Sequence, residues 1–288
     1  MGIGKESISL RESEPETSVL YVVGTPIGNL QDISERSKNL LSNVSCILCE
    51  DTRNTKKLLN LLNIKNNLIS FNEFNSAIKT ENIIKKLKNG YSIALVSDAG
   101  MPSISDPGQY LVKQARENNI EVICSPGPCA AITGLVSSGF STESFLFIGF
   151  LPKKNIEREK YFKMIANNPF STIVYESPKR LNLFLKELKN YCGKERFVHI
   201  SKELTKKFEK HWTGNLNTII KNMESIAHKG EFTIVIKGKE RNKELDVDKI
   251  ELKNDLDLLI KHGLKRSSAA SYLAHKNKVP KNLIYNLE

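Results

Sequence analysis

Short apolar runs alternate with amphipathic stretches from Val19 to Ile148. Six of these runs have the length and the composition of buried strands. They cover Val19–Val23, Cys46–Cys49, 68–71, 92–96, 121–124 and 145–148. Buried strands that alternate with helices are typical of parallel sheets, so the pattern predicts an α/β domain over residues 19–149.

Two acidic residues lie where helices are expected to begin. Asp32 precedes Glu35 by three residues, a variant of the capping box, and is expected to cap the first helix. Asp106 precedes Pro107 and a helical run at 109–118. We therefore expect Asp106 to cap that helix, with proline in its first turn.

The pattern of strand-like and helical runs changes after Gly149. Proline and charged residues at 150–155 predict a domain boundary there. Strand-like runs follow at 172–175, 196–201, 207–212 and 232–237. The second and third runs are close enough for a hairpin in a mixed sheet. Residues 150–240 are thus predicted to form a second α/β domain.

Both ends of the chain differ from these domains. Residues 1–18 are charged and rich in serine, and we expect a flexible tail. Residues 241–288 begin as a charged linker and continue as three short helical patterns, which predicts a basic helical appendage. This appendage is compatible with RNA contact and equally with a solvated helical cap.

Composition limits the possible settings of the protein. With 40% hydrophobic and 26% charged residues among 288, the chain is globular in composition, and it has no apolar run long enough for a membrane span. Its five cysteines, without an export signal, indicate a reducing cytoplasmic location. Cys46 and Cys49 match a C-x-x-C motif, but such positions face opposite sides of a strand, so no metal site is predicted.

The formal net charge of +11 favours a polyanionic partner such as nucleic acid. Lysine accounts for most of the basic residues, whereas arginine is the sharper sign of bidentate phosphate recognition. Charge therefore supports RNA as a partner without identifying it.

Three loops rich in glycine and proline follow predicted strands, at residues 24–29, 97–108 and 125–130. Ligands of α/β proteins bind at the carboxyl ends of strands, so we expect these loops to form one ligand cleft. The loops lack the lysine of a P-loop and the G-x-G-x-x-G motif of dinucleotide-binding proteins.

Asp98 directly follows a predicted strand in the second of these loops. A carboxylate there accepts hydrogen bonds from ribose hydroxyls or an amino group and complements a cation, which suits the sulfonium of S-adenosylmethionine. The alternative from the residues alone is an aspartate that caps the following helix.

Seven segments together resemble the ribosomal RNA small subunit methyltransferase I family, a branch of the tetrapyrrole methylase superfamily. They are Leu20-Tyr-Val-Val-Gly-Thr-Pro-Ile-Gly-Asn-Leu30, Cys49-Glu-Asp-Thr-Arg53, 97–108, Ser125-Pro-Gly-Pro-Cys-Ala-Ala131, Tyr175-Glu-Ser-Pro-Lys-Arg-Leu181, Ser201-Lys-Glu-Leu-Thr205 and Gly230-Glu-Phe-Thr-Ile-Val235. Each segment is weak evidence alone, but their order along the chain is specific.

The resemblance implies a two-domain class III methyltransferase, usually a homodimer, with S-adenosylmethionine in the cleft between the domains. It implies methylation of the ribose 2′-hydroxyl of a cytidine in the decoding region of 16S rRNA. The cofactor contacts carried over by motif are Ile27, Asp98, Ala99, Gly100, Met101, Cys129, Ala130, Tyr175 and Thr233. The family often has threonine where this chain has Met101, a departure that matters little for a backbone contact.

Methyl transfer to a hydroxyl requires alignment and a group that favours loss of the hydroxyl proton. Candidates at the end of the second strand are Glu50, Asp51 and Arg53, and candidates in the second domain are Lys202 and Glu203. Each of them is equally compatible with a structural ion pair or cap. Tyr175 is expected to pack against adenine.

Two other functions compete with RNA methylation. A small-molecule methylase that acts on a tetrapyrrole would share the superfamily fold, but the high positive charge opposes it. A non-enzymatic RNA-binding protein would explain the charge, but it leaves the three converging loops unexplained.

Overall fold

The computed structural model describes residue 11 and residues 13–153, 155–224, 229–240, 249–277 and 279–287. The chain divides into two compact units, residues 1–237 and 238–288. The larger unit contains two five-stranded sheets. None of the described helices is both long and apolar enough to cross a membrane.

The first sheet consists of five parallel strands in the spatial order β3-β2-β4-β1-β5. These strands are β1 (Val19–Val23), β2 (Cys46–Cys49), β3 (Leu68–Ser70), β4 (Ile93–Val96) and β5 (Glu121–Ser125). Strands β1, β2 and β4 are buried along their whole length because helices cover both faces of the sheet. The predicted parallel α/β arrangement is confirmed.

Four helices cover this sheet, two on each face. They are α1 (Glu35–Asn43), α2 (Thr52–Leu61), α3 (Ser76–Lys88) and α4 (Gln109–Glu117). Leu40 of α1 and Leu59 of α2 pack with Tyr21 on one face. Leu87 of α3 and Leu111 of α4 pack on the other face. The alternation of side chains along each strand thus divides the apolar residues between two cores.

The same alternation separates the two cysteines of the C-x-x-C motif. Cys46 belongs to the core under α3 and α4, and Cys49 belongs to the core under α1 and α2. Burial raises the pKa of both thiols. Cys46 and Cys49 are therefore neutral packing residues on opposite faces of the sheet.

The predicted helix caps were wrong in both cases. Ser34 caps α1, with its side chain accepting a hydrogen bond from the Ser37 N–H, because Asp32 ends a separate 3-10 helix at Leu30–Asp32. Gly108, not Asp106, precedes α4, and its φ of 140° turns the chain into the helix. A Cβ at Gly108 would lie 2.5 Å from the Ser103 Oγ, so the position requires glycine.

The end of the predicted tail is anchored to the first domain. The carboxylate of Glu14 is buried and accepts two hydrogen bonds of 2.7 Å from Arg36. Arg36 lowers the pKa of Glu14. The predicted flexible tail therefore extends too far along the chain, and residues 1–10 and 12 lie outside the described residues.

The second sheet is mixed, in the order β6-β7-β10-β8-β9. Its strands are β6 (Phe145–Phe150), β7 (Ser171–Glu176), β8 (Phe197–Lys202), β9 (Lys210–Asn215) and β10 (Phe232–Ile236). Strand β6 is parallel to β7, and the other neighbours are antiparallel. The predicted hairpin is present as β8 and β9.

The domain boundary lies earlier than the sequence predicted. Strand β6 pairs with β7, so the second sheet begins at Phe145 and not after Gly149. Helix α5 (Ala130–Ser138) already packs on the second sheet, where Ala131 and Leu135 contact Ile173 and Val235. Hydrophobic periodicity identifies β6 as a strand but does not identify the strand with which it pairs.

The opposite face of the second sheet is covered by α6 (Asn155–Asn167), α7 (Leu181–Cys192) and α8 (Leu216–Glu224). Phe162 of α6 and Phe184 of α7 are fully buried there, with ring centroids 5.7 Å apart. Trp212, the one tryptophan of the chain, packs against the same core.

The smaller unit contains α9 (Lys249–Lys261), α10 (Arg266–Asn277) and α11 (Lys281–Tyr285) around its own apolar core. Leu252 and Leu256 of α9, Leu273 of α10 and Ile284 of α11 are buried. The three predicted helical patterns are confirmed, while residues 241–248 of the predicted linker lie outside the described residues.

Replacement of Phe184 by alanine tests the packing of the second core. Phe184 is 0% exposed, so we expect Phe184→Ala to lower the free energy of unfolding by about 3 to 5 kcal/mol. Urea unfolding followed by Trp212 fluorescence measures this change. The control is Leu183→Ala, one residue earlier and 57% exposed, with an expected change of about 0.5 kcal/mol or less. Equal effects of the two variants would contradict the described packing.

Candidate active site

The loops that follow β1, β4 and β5 meet at the carboxyl edge of the first sheet. Thr25 and Gly100 form an antiparallel bridge, with the Thr25 N–H 2.9 Å from the Gly100 oxygen and the Gly100 N–H 3.1 Å from the Thr25 oxygen. The Thr25 hydroxyl also donates to the Ser97 carbonyl. These bonds join the first two of the three loops that are rich in glycine and proline.

The third loop approaches the first so closely that both need glycine. A Cβ at Gly24 would lie 2.7 Å from the Gly127 Cα, and a Cβ at Gly127 would lie 2.7 Å from the Gly24 Cα. Both contacts are with backbone, which has no flexible end to move aside. The absence of side chains at these two positions is therefore what permits the loops to converge.

Contacts between the two halves of the larger unit close the cleft on one side. The Asn29 N–H donates to the Thr205 Oγ1 over 3.1 Å. A Cβ at Gly134 of α5 would lie 2.7 Å from the Thr233 Cγ2 of β10. These contacts fix the loops of the first sheet against the carboxyl end of β8 and the start of β10.

A cavity of about 320 Å³ lies between these elements. This volume is within the range of small-molecule sites. The wall combines apolar side chains with a few polar groups. It is lined by Ile27, Ala99, Gly100, Met101, Ile104, Ser105, Asp106, Cys129, Ala130, Phe150, Tyr175, Glu176, Ser177, Pro178, Gly230, Glu231, Phe232 and Thr233.

Eight of the nine residues predicted to contact a cofactor line this one cavity. They come from five segments that are distant in sequence. They are Ile27, Ala99, Gly100, Met101, Cys129, Ala130, Tyr175 and Thr233. The structure thus brings the predicted set together, while cofactor binding by these residues stays a prediction.

Tyr175 forms an aromatic wall of the cavity together with its neighbours on β6. Its ring centroid lies 5.1 Å from that of Phe147 and 5.6 Å from that of Phe150. Burial raises the pKa of the Tyr175 hydroxyl above its usual range. A neutral, packed phenol at this position supplies a flat apolar surface and is unsuited to removing a proton at neutral pH.

Helix α5 begins at the cavity. Cys129 is its N-cap residue and Ala130 its first residue, and both line the cavity wall. No side-chain hydrogen bond from Cys129 caps the helix. The positive end of the helix dipole therefore lies at the cavity wall, where it favours an anionic group such as a carboxylate.

Asp98 lies just outside this wall. It is exposed, and its carboxylate accepts hydrogen bonds from the Asp51 N–H at 3.2 Å and from the Asn54 Nδ2 at 2.8 Å. Asp98 thus ties the loop after β4 to the start of α2, and it does not cap the helix that follows it. Its predicted contact with a cofactor stays a prediction.

The residues predicted to be catalytic at the start of α2 form a salt bridge with each other. Asp51 is the N-cap of α2, and its carboxylate accepts from the Arg53 N–H and the Arg53 Nε. Hydrogen bonding to Arg53 lowers the pKa of Asp51 to about 2. A carboxylate held in this way is a weak base. The geometry therefore favours a structural role for Asp51, as helix cap and ion-pair partner, over a catalytic one.

The predicted catalytic residues of the second domain also have structural partners. Glu203 accepts from the Lys206 Nζ at 3.0 Å and from the Glu231 N–H at 2.9 Å. Burial opposes ionisation of Glu203, but these hydrogen bonds lower its pKa. The Lys202 Nζ lies 6.0 Å from the ring centroid of Phe232. Both residues lie next to lining residues of the cavity.

Three acidic residues line the cavity, and sequence reasoning assigned none of them to the site. Glu176 and Glu231 lie next to the cationic side chains of Arg180 and Lys206, whereas no salt bridge to Asp106 is present among the described residues. Asp106 follows a strained segment in which Ser103 and Ser105 have φ values of 69° and 65°. Left-handed backbone at two serines is costly and is concentrated at functional sites. Glycine and proline neighbours made Asp106 resemble a helix cap. The sequence signal of this strained loop is the short segment Ser103-Ile104-Ser105-Asp106, which lies between two prolines.

The surroundings of Asp106 favour its protonated form. Burial, followed by the charges of Glu50 and Asp98, raises the pKa of Asp106 to about 6, although a hydrogen bond from Ser97 opposes the change. Burial also raises the pKa of Glu50. A carboxyl group with a pKa near 6 exchanges protons readily close to neutral pH, which is a property of general acids and bases.

The family model of tetrapyrrole (corrin/porphyrin) methylases matches residues 19–220. The chain belongs to the tetrapyrrole methylase family. Curated relatives named ribosomal RNA small subunit methyltransferase I support this membership over nearly the whole chain. The protein of Synechocystis is 42% identical over 93% of this chain and 96% of its own length. The protein of Halalkalibacterium halodurans is 38% identical over 96% of each chain.

Solved structures of other methyltransferases share the fold. Uroporphyrin-III-C-methyltransferase from Thermus thermophilus has a TM-score of 0.54 at 15% identity, over 76% of this chain and 94% of that chain. A complex of such an enzyme with S-adenyl homocysteine has a TM-score of 0.53 at 14% identity, over 75% of this chain and 96% of that chain. The predicted class III methyltransferase fold of this tetrapyrrole methylase is confirmed.

Replacement of Gly24 by alanine tests the convergence of the loops. The added Cβ would press on the Gly127 Cα and on Met101, so the loops must separate and the cavity must change shape. We expect Gly24→Ala to weaken S-adenosylmethionine binding by about tenfold or more, as measured by calorimetric titration. Gly214→Ala is the control, because its Cβ would meet no atom closer than 3.7 Å. Unchanged affinity in a folded Gly24→Ala protein would show that the approach of the loops is dispensable.

Proposed function

We propose that the protein transfers a methyl group from S-adenosylmethionine to the ribose 2′-hydroxyl of a cytidine in 16S rRNA. The observation that carries this proposal is the identity of 38–42% with ribosomal RNA small subunit methyltransferase I over nearly the full length of both chains. Solved tetrapyrrole methyltransferases, by comparison, are 13–15% identical to this chain. The resemblance to this family also supports the ribose hydroxyl of a cytidine in the decoding region as the acceptor.

The cavity offers groups that match each part of S-adenosylmethionine. Ile27, Met101 and the Tyr175 ring supply apolar surface for a nucleobase. The N-terminus of α5 suits the carboxylate of the methionine portion. Asp106 supplies negative charge for a cation. The donor set therefore fits a ligand that is part aromatic, part anionic and part cationic.

The residues of the chain position the reaction. S-Adenosylmethionine, when bound, supplies a methyl carbon whose bond to sulfur breaks as the ribose oxygen attacks, leaving a neutral thioether. The bridge between Thr25 and Gly100 and the contact between Gly24 and Gly127 hold the cavity wall in place. Such alignment contributes much of the rate of an in-line transfer.

Asp106 is the residue that we assign to proton removal. The attacking hydroxyl must lose its proton as the bond from oxygen to carbon forms, and a carboxylate oxygen of Asp106 accepts it. Asp106 lines the cavity, whereas Asp51 and Glu203 are each held by a cationic partner. A pKa of about 6 leaves Asp106 ionised at neutral pH and still basic.

The proposed reaction is tested by incubating the full chain with methyl-labelled S-adenosylmethionine and three acceptors. These are naked 16S rRNA, assembled small subunits and a tetrapyrrole. We expect label in 16S rRNA, at one cytidine and in a form resistant to alkaline cleavage, because 2′-O-methylation removes the nucleophile of that cleavage. Label on a base, or in the tetrapyrrole alone, would exclude the proposed function.

The role of Asp106 predicts a particular pH dependence. A proton acceptor must be ionised, so kcat/KM for RNA rises about tenfold per pH unit below about pH 6 and levels above it. Asp106→Asn should lower kcat by about a hundredfold or more and abolish this rise. Glu50 and Asp98 are the neighbouring titratable groups. Glu50→Gln is the control: it should keep the rise but move it to lower pH, because the charge of Glu50 contributes to the raised pKa of Asp106. The same pH profile in Asp106→Asn would assign the titration to another group.

The raised pKa of Asp106 also has a consequence for stability. Burial disfavours the ionised carboxylate, so its contribution to folding stability is greatest below the ordinary aspartate pKa and is lost as pH rises through about 6. Asp106→Asn removes this dependence. Its unfolding midpoint should therefore fall less than that of the wild-type chain between acid and neutral pH.

Three further features belong to the proposal. A homodimer is supported by the exposed apolar residues Ile132 and Val136, which lie one turn apart on α5. A cytoplasmic location is supported by ribosomal RNA as substrate and by five free cysteines. RNA contact by the C-terminal helices is supported by their basic composition.

A further inference from the structure

A second depression lies on α2 and on the loop that leads to β3. We call it the α2 groove, and its volume is about 610 Å³. Among the described residues that line it, three are cationic, three carry side-chain amides and none is acidic. They are Thr52, Arg53, Lys56, Leu59, Asn60, Ile64, Lys65, Asn66, Asn67 and Leu68.

Two lysines in the α2 groove are available for an external anion. Lys56 and Lys65 are both exposed, and neither has a carboxylate partner within the part of the chain that the structure describes. The third cation, Arg53, is already paired with Asp51. Ammonium groups on flexible stems beside amide donors favour phosphate groups over small neutral ligands.

The α2 groove starts where the wall of the cofactor cavity ends. Ala99 lines the cavity, and the preceding residue, Asp98, accepts hydrogen bonds from Asp51 and Asn54 at the start of α2. Thr52, between these two partners, lines the groove. The groove and the cavity wall therefore adjoin at a hydrogen-bonded junction at the start of α2.

The charge on this side of the cavity restricts where RNA phosphates bind. The loops after β2 and β4 carry Glu50, Asp51, Asp98 and Asp106, whose mutual repulsion contributes to the raised pKa of Glu50 and of Asp106. An acidic rim suits a sulfonium cation but repels phosphodiesters. The phosphates next to a target ribose therefore require cations beyond the rim, and the α2 groove supplies them.

We infer that the α2 groove binds the phosphodiester backbone of the RNA strand next to the target nucleotide, through Lys56 and Lys65. This inference rests on the proposed function, because it assigns a binding surface to the same RNA substrate. The contact is with phosphates, so it positions the strand and contributes little to recognition of the base.

The test replaces both lysines in the full chain, as Lys56→Gln with Lys65→Gln. The control is Lys85→Gln with Lys86→Gln, which removes the same charge from exposed positions on α3, on the opposite face of the first sheet. Binding to a decoding-region RNA is measured by fluorescence anisotropy over a series of salt concentrations. S-Adenosylmethionine affinity is measured by calorimetry for every protein.

We expect the groove variant to bind RNA about tenfold more weakly than the control variant. Its slope of log affinity against log salt should fall by roughly 1.4 to 1.8, as for two lost phosphate contacts. S-Adenosylmethionine affinity should not change. Identical RNA affinities and salt slopes of the two variants would refute the groove assignment, and so would a change of oligomeric state at unchanged RNA affinity.

The methylation assay separates this inference from the proposed function. If the wild-type chain labels no RNA, the proposed function fails and the groove assignment fails with it. If the wild-type chain and both variants label RNA with the same KM, only the groove assignment fails. A raised KM for RNA at nearly unchanged kcat in the groove variant supports both.

Discussion

The close approach of Gly24 and Gly127 is the constraint on which the site depends. Backbone lies against backbone there, and any side chain would separate the loops after β1 and β5. The bridge between Thr25 and Gly100 adds the loop after β4 to the same junction. Because the three strands are parallel neighbours, their carboxyl ends lie at one edge of the sheet, and the junction becomes one wall of a cavity.

The second sheet forms the rest of the cavity wall, and the wall combines groups of different chemistry. Tyr175 and Thr233 from β7 and β10 form the opposite wall, and α5 crosses from the first sheet to the second and presents its N-terminus. The lining thus combines a helix N-terminus that suits an anion, apolar side chains and the acidic Asp106. The acidic residues that suit a sulfonium also repel RNA phosphates. The proposed phosphate contacts therefore lie outside the cavity, in the basic α2 groove.

Most predicted elements are present in the structure, and most residues predicted to contact a cofactor line one cavity. Apolar positions recur regularly along amphipathic helices and form short continuous runs in buried strands. Strands β1 to β5 and the β8–β9 hairpin could therefore be predicted. The misplaced features were those that depend on pairing or on unusual backbone angles. Strand β6 was assigned to the wrong sheet, and the cap of α4 was assigned to Asp106 in place of Gly108.

The sequence alone determined the fold class and the set of loops that surround the cavity, because hydrophobic period, breakers and ordered motifs are local properties. The tertiary structure decided what each acidic side chain does. Asp98 and Asp106 lie eight residues apart in one loop, yet Asp98 is hydrogen-bonded to α2 whereas Asp106 lines the cavity with a raised pKa. Burial, hydrogen bonding and neighbouring charge arise only when distant segments pack together, so only the folded chain distinguishes a residue that holds a loop from one suited to accept a proton.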